Sequence, residues 1–366
     1  MTPQTVADIR ARLDLSKAEA TPPLDLIVGP VALRIHCEAP LRAELAEYFK
    51  EARGDAPAPD ITLYAIEGQS LSPAPDWQNW AREPGKTGRK DAILDLRDGR
   101  LVHKLRTGVT FLQSPDLMVA FGPVTQHANQ VVNFVNTQVL NRQQRVGWQI
   151  CHAAAATRGS RTLAIAGLSG GGKSTSILRM MDLPEVAFMS NDRLLVQATE
   201  SGTGGGAEAL GVPKHPRINP GTILGNPRLH GMLSAERQAE LRAMPVEDLW
   251  ELEEKHDLFI SDIYGPGRIR YAAPLTDFWV LNWQRDVEKV TMVEAVDLAK
   301  RPDLLGAIMK SPGPFYQSAD GIFLSDRETP DPEAYLAALR HVRVQEVTGR
   351  VDFDAIAYLG RELFDA

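Results

Sequence analysis

The 366-residue chain has two cysteines, Cys37 and Cys151, far apart in sequence, which excludes a disulfide framework and a cysteine-built zinc site. No apolar run reaches the ~18 residues a membrane-spanning helix needs. Positive charge is not in excess: 40 Lys and Arg against 47 Asp and Glu leave −7, so there is no electrostatic case for nucleic acid or an anionic membrane as partner. Internal repeats and long low-complexity segments are missing. The opening residues lack the charged-then-apolar form of a secretory signal, so a cytoplasmic protein is expected. The length is enough for one large or two ordinary domains, and the 43% hydrophobic and 24% charged shares are those of a globular chain.

What is present centres on Gly167-Leu168-Ser169-Gly170-Gly171-Gly172-Lys173-Ser174, of the form G-x-x-x-x-G-K-S. Arg161 to Ala166 before it reads as a buried strand, and Ser174 to Met181 after it as a short helix stopping before Pro184. Strand, glycine loop and helix are the setting of a phosphate-binding loop. Glycines let successive N–H groups point into one concavity, and the helix adds its partial positive end. The expected nucleotide contacts are Gly167, Ser169, Gly170, Gly171, Gly172, Lys173, Ser174 and Thr175. Lys173 would meet the β/γ-phosphates of ATP, and the Ser174 hydroxyl would hold Mg²⁺.

Around this loop the pattern predicts an α/β nucleotide-binding domain, 125–366, preceded by a smaller α+β domain, 1–124. In the latter, a polar helical lead-in over 1–24 precedes strands Leu24–Val28 and Val31–Ile35 across a Gly29-Pro30 turn. A helix over Leu41–Phe49, a strand over 60–66 and a hairpin turning at Asp98-Gly99 follow. His127 to Arg142 carries a helical apolar stripe, with Asn129, Gln130, Asn133 and Asn136 expected on a solvated or interdomain face. Val186–Met189 and Arg193–Gln197 read as two strands of a hairpin around Asn191-Asp192. Gly202 to Gly206 reads as a flexible connector, Ser234 to Glu254 as one or two helices with a Ser234 cap, and 277–282 as a buried strand. Helices are expected over Pro332–Arg343 and Asp354–Leu363.

Asp192, at a strand end beside the glycine loop, is placed either to ligate Mg²⁺ with Ser174 or to act as base; the alternative is a turn aspartate next to Asn191. Lys214, Arg217 and Asn219 lie in a Pro-rich loop where they would either gather on phosphate or an acidic substrate or stand exposed. Cys151 has no identifiable triad partner.

These residues resemble the HPr kinase/phosphorylase superfamily, and within it the HPr-kinase-related kinases of the kinase B type. The glycine loop is also similar to that of PEP carboxykinase, whose fold the kinases share. The resemblance covers roughly 125–290. It implies that His152 opens the core strand, that Asp192 stands where the family carries an acidic pair, and that Glu253-Glu254-Lys255, with Ile260 and Asp262-Ile263 after it, matches a Glu-x-Arg-Gly segment and the following strand. Two departures are plain: Asn191 replaces the first acid, and the segment lacks its arginine and glycine. The implied activity is transfer of the γ-phosphoryl of ATP to a hydroxyl, with Asp192, His152 and Lys173 in catalytic roles and little phosphorylase reaction, on a protein serine or a small alcohol other than HPr. With Asn191 unable to accept a proton, His152 is the best candidate for a second base. Kinases of this type stand beside ATP-grasp proteins in bacterial gene clusters, which makes such proteins candidate partners; self-association is left open. The competing class is a nucleotide-dependent ATPase or switch that phosphorylates no acceptor.

Overall fold

In the computed structural model the chain forms two compact units, Met1–Gly147 with Ser311–Pro330, and Trp148–Lys310 with Asp331–Ala366. Residues 4–81, 88–167, 171–200, 205–252 and 254–366 are described. The expected break at 124/125 falls inside the first unit, which also takes back a late segment that the sequence pattern assigned to the second. Among the described residues, no helix is long and apolar enough to cross a membrane.

The first unit runs α1 (Val6–Arg10), α2 (Ser16–Glu19), β1 (Leu24–Val28), β2 (Val31–Cys37), α3 (Ala39–Tyr48), β3 (Ile61–Glu67), β4 (Gln78–Trp80), β5 (Asp91–Asp95), β6 (Arg100–Lys104), β7 (Thr110–Gln113), β8 (Met118–Gly122) and α4 (Ala128–Gln144). Among the described residues its strands form one mixed sheet in the order β1-β2-β3-β8-β7-β6-β5-β4. The period-2 pattern of β2 buries Val31, Leu33, Ile35 and Cys37 on one face. The lead-in belongs to the core, since Ile9, Leu13, Leu15 and Ala18 pack with Leu101, Leu112, Val119 and Phe121. α4 corrects one expectation. Of the solvated and interdomain alternatives, the solvated one fails at Asn136, which is fully buried, and Gln138 and Asn141 on the same helix are buried and bonded to the Gln113 side chain and the Phe315 carbonyl, each at 2.7 Å.

The second unit runs β9 (Gln149–Cys151), β10 (Ala153–Arg158), β11 (Arg161–Gly167), α5 (Lys173–Met181), β12 (Ala187–Ser190), β13 (Leu194–Thr199), β14 (Gly206–Gly211), β15 (Arg217–Ile218), α6 (Pro220–Leu224), α7 (Ala235–Arg242), α8 (Val246–Glu251), β16 (His256–Asp257), α9 (Ile260–Tyr264), β17 (Ala272–Pro274), β18 (Asp277–Leu281), β19 (Met292–Ala295), α10 (Pro302–Ile308), α11 (Pro332–Leu339), β20 (Arg343–Thr348) and α12 (Phe353–Asp365). Among the described residues, a six-stranded sheet (β12-β10-β11-β18-β20-β19) and a four-stranded sheet (β17-β14-β13-β9) carry most of it. β11, β18 and β20 are parallel neighbours. One face of the larger sheet presents Ala154, Ala156, Leu163 and Ile165 to α5 and α12. The other presents Ala153, Ala155, Ala164 and Ala166, with the buried Thr157–Thr162 pair at its end, and the alanines let Leu194, Val196 and Ala209 of the smaller sheet pack closely.

That layering overturns the hairpin expected at Asn191-Asp192. β12 belongs to the larger sheet and β13 to the smaller, so the chain crosses between sheets at those two residues. Gly211 makes the crossing tight: a Cβ there would strike the Met189 carbonyl. Two further expectations change. Residues 260–264 form a helical turn rather than a strand, and the helix from Pro332 ends at Leu339, leaving 343–348 as a strand. Ser234 does cap α7, accepting from the Arg237 N–H. The expected connector at 202–206 lies largely outside the described residues.

Candidate active site

β11, buried between β10 and β18, delivers the chain to the glycine loop, and α5 starts at Lys173. Ser169 and Gly170 lie outside the described residues. Gly172 is the N-cap of α5 at φ +93, a conformation L side chains rarely adopt, and a Cβ there would sit 2.9 Å from the Phe353 ring. Trp283 donates its indole N–H to the Gly171 carbonyl at 2.9 Å and meets Phe353 edge-to-face at 5.2 Å. This aromatic pair braces the end of the loop. Sequence reasoning missed it, because both residues come from distant elements.

The Lys173 ammonium donates to the Gly167 carbonyl at 2.9 Å. Burial pushes its pKa down to about 8; nearby Asp192 opposes the shift and Lys310 reinforces it. Ser174 donates its hydroxyl proton to Asn191 Oδ1 at 2.8 Å. The Thr175 hydroxyl pairs instead with that of Thr222 on α6 at 2.8 Å, a packing role.

Asp192 sits at the sheet crossover with φ +82, a left-handed conformation unusual for a non-glycine residue and a feature that clusters at functional sites. His152 Nε2 lies 2.8 Å from Oδ1 and Lys310 Nζ 3.3 Å from Oδ2. These two are brought together by backbone: the His152 N–H donates to the Ile308 carbonyl at 2.7 Å, and Cys151 bridges to Met309. Burial works against ionisation of Asp192, but the His152 hydrogen bond and the Lys310 charge outweigh it and hold the carboxyl well below the usual carboxylate range. Arg193 and Lys214 also act on this carboxylate. Burial lowers the Lys214 ammonium to about 8, with Arg193 adding to the shift.

The structure thus gathers Lys173, Ser174, Asp192, His152 and Lys214, together with Asn191. It does not gather the other candidates. Arg217 pairs with Asp257 at 2.9 Å, both half-exposed. Glu254 is held by Arg237 and His256 as a local ion cluster. Glu253 lies outside the described residues. Cys151 is fully buried, and burial raises its thiol pKa, as suits an inert core residue. Lys310 was missed, since no motif surrounds it.

Among the described residues no group of three or more His, Cys, Asp or Glu stands ready as a metal site. A Mg²⁺ here would therefore share its shell with phosphate oxygens and water. The donor chemistry fits at Ser174, whose proton goes to Asn191 and whose lone pairs remain for a cation. At Asp192 it fits once the longer Lys310 contact is given up.

No family model matches the chain, and no curated protein matches it. Among solved structures, the "Hpr(Ser) kinase/phosphatase from Coxiella burnetii" is similar over 58% of this chain and 95% of its own, at 9% identity and a TM-score of 0.26. That is a weak fold-level likeness, and it assigns no activity or residue role to this chain.

Proposed function

We propose that the second unit is an ATP-dependent kinase that transfers the γ-phosphoryl group to a hydroxyl. The observation that carries the reading is the convergence, at the end of β11 and the start of α5, of Lys173 with the His152–Asp192 pair from the sheet crossover. The N-terminus of α5 would offer N–H groups and partial positive charge to a triphosphate, and Lys173 would add a full charge. Mg²⁺, held through Ser174 and Asp192, would neutralise charge on the transferring group. The acceptor oxygen bonds to phosphorus as the bond to the leaving ADP oxygen breaks, and the hydroxyl proton passes to the His152–Asp192 pair. A carboxylate so strongly stabilised is a weak proton acceptor alone, which gives the imidazole a share of the role. Such transfer depends mostly on positioning and electrostatics, so a weakened base slows it without abolishing it.

Incubation of the full chain with γ-labelled ATP, Mg²⁺ and lysate tests this. Label on an acceptor is expected, with little return of label to inorganic phosphate or pyrophosphate from phosphorylated product. Release of free phosphate alone, with no labelled acceptor, would replace the kinase by an ATPase or switch.

A further inference from the structure

Leu194 opens β13 and is paired on one side with Cys151 and on the other with Gly211. One residue beyond that row, at the same edge of the four-stranded sheet, stand His152, Arg193 and Val212. Lys214 follows closely, its N–H returned to the Val212 carbonyl at 2.7 Å. Arg193 and Lys214 are therefore neighbours of each other and of Asp192, and each acts electrostatically on the other groups. Asp192 is already occupied on both oxygens, by His152 and Lys310, and Asp257, which also acts on Lys214, is paired with Arg217. Among the described residues the Arg193 guanidinium has no hydrogen-bonded acceptor of its own. A planar five-donor fork that is half-buried beside His152 and meets no acceptor among the described residues is a site for a bidentate oxyanion. On the kinase reading the triphosphate goes to Lys173 and the start of α5, whereas Arg193 lies beside His152, where an acceptor hydroxyl would sit.

We infer that Arg193 and Lys214 form a second oxyanion subsite beside Asp192, which holds a carboxylate or phosphate carried by the phosphoryl acceptor. The word acceptor rests on the kinase reading; the subsite does not. It would favour a hydroxy acid or a phosphorylated alcohol over a neutral sugar or alcohol.

The test is calorimetric titration of the full chain, saturated with Mg²⁺ and a non-hydrolysable ATP analogue, with inorganic phosphate and separately with malonate. One oxyanion is expected to bind once per chain. Arg193→Gln and Lys214→Met should each weaken it by about tenfold or more, the loss of a hydrogen bond to a charged group, while leaving analogue affinity within about threefold; Arg193→Lys, which keeps the charge but not the planar fork, should fall between wild type and Arg193→Gln. Preference for phosphate marks a phosphorylated alcohol, and preference for malonate a hydroxy acid. Binding of neither, or binding unchanged in both loss variants, overturns the subsite. If the analogue fails to bind wild-type chain, the kinase reading falls, and the same titrations on nucleotide-free chain still decide the subsite.

Discussion

Nucleotide binding should take up a proton, and Lys173 should be the main group that accepts it. In the free chain the ammonium faces a neutral carbonyl at 2.9 Å in a buried setting, which lowers its pKa from 10.5 to about 8. At about pH 8.5 such a group is only about one quarter protonated. A triphosphate brings several negative charges into contact and should return the group toward its ordinary value. The difference is about 0.75 proton taken up per nucleotide at that pH, and nearly none at about pH 6.5. Because bound chain holds more protons than free chain, affinity must fall as pH rises. With the free and bound values at about 8 and about 10.5, it drops about twentyfold between about pH 7.5 and about pH 9.5. The terminal phosphate is already fully ionised over that range, so it does not contribute.

The assay is calorimetry of a non-hydrolysable ATP analogue with Mg²⁺ in two buffers of different ionisation enthalpy. Lys173→Met should bind more weakly, lose its share of the uptake and show a flatter pH profile. Lys214→Met is the control, since its ammonium is lowered by a similar environment but stands at the other subsite. Uptake near zero in wild type, or equal uptake in wild type and Lys173→Met, would refute the placement of Lys173 on the phosphates.

His152→Ala should lower kcat by about 10²-fold or more while changing the KM for ATP by no more than about threefold, because the imidazole serves the acceptor side; steady-state kinetics would expose an equal loss in both, which would put His152 on the nucleotide. Asn191→Leu removes the acceptor of the Ser174 proton, and Mn²⁺-dependent nucleotide binding should weaken by about tenfold, read by electron paramagnetic resonance of bound Mn²⁺; unchanged metal binding would free Ser174 from that role. Gly211→Ala should destabilise the fold by about 2–4 kcal/mol in denaturant unfolding, because its methyl would meet the Met189 carbonyl where the sheets touch; a loss under about 0.5 kcal/mol would mean the crossing is looser than described.

What could be read from the chain alone was local. The strand before the glycine loop, the helix after it, the Gly29-Pro30 and Asp98-Gly99 turns and the Ser234 cap each depend on residues within a few positions of one another. The crossing at Asp192 does not. Two short apolar stretches separated by Asn-Asp look like a hairpin in one dimension, and only the alanine faces of β10 and β11 and the missing side chain of Gly211 explain why they part into different sheets. Lys310 is further from reach still, 118 positions from the carboxylate it contacts and marked by no motif. Net charge was the least informative signal about the site. A total of −7 describes the whole surface and speaks against a polyanion partner, yet Lys173, Lys310, Arg193 and Lys214 surround a single carboxylate. With Asn191 in place of an acid, Asp192 is the carboxylate that acts on all four of these cations, and Asp257 adds to it at Lys214. An anionic ligand on either side of Asp192 would relieve the burden that burial places on Lys173 and Lys214, and because the first to bind takes part of that relief and sets a like charge beside the second, the nucleotide and the acceptor group should bind with negative coupling.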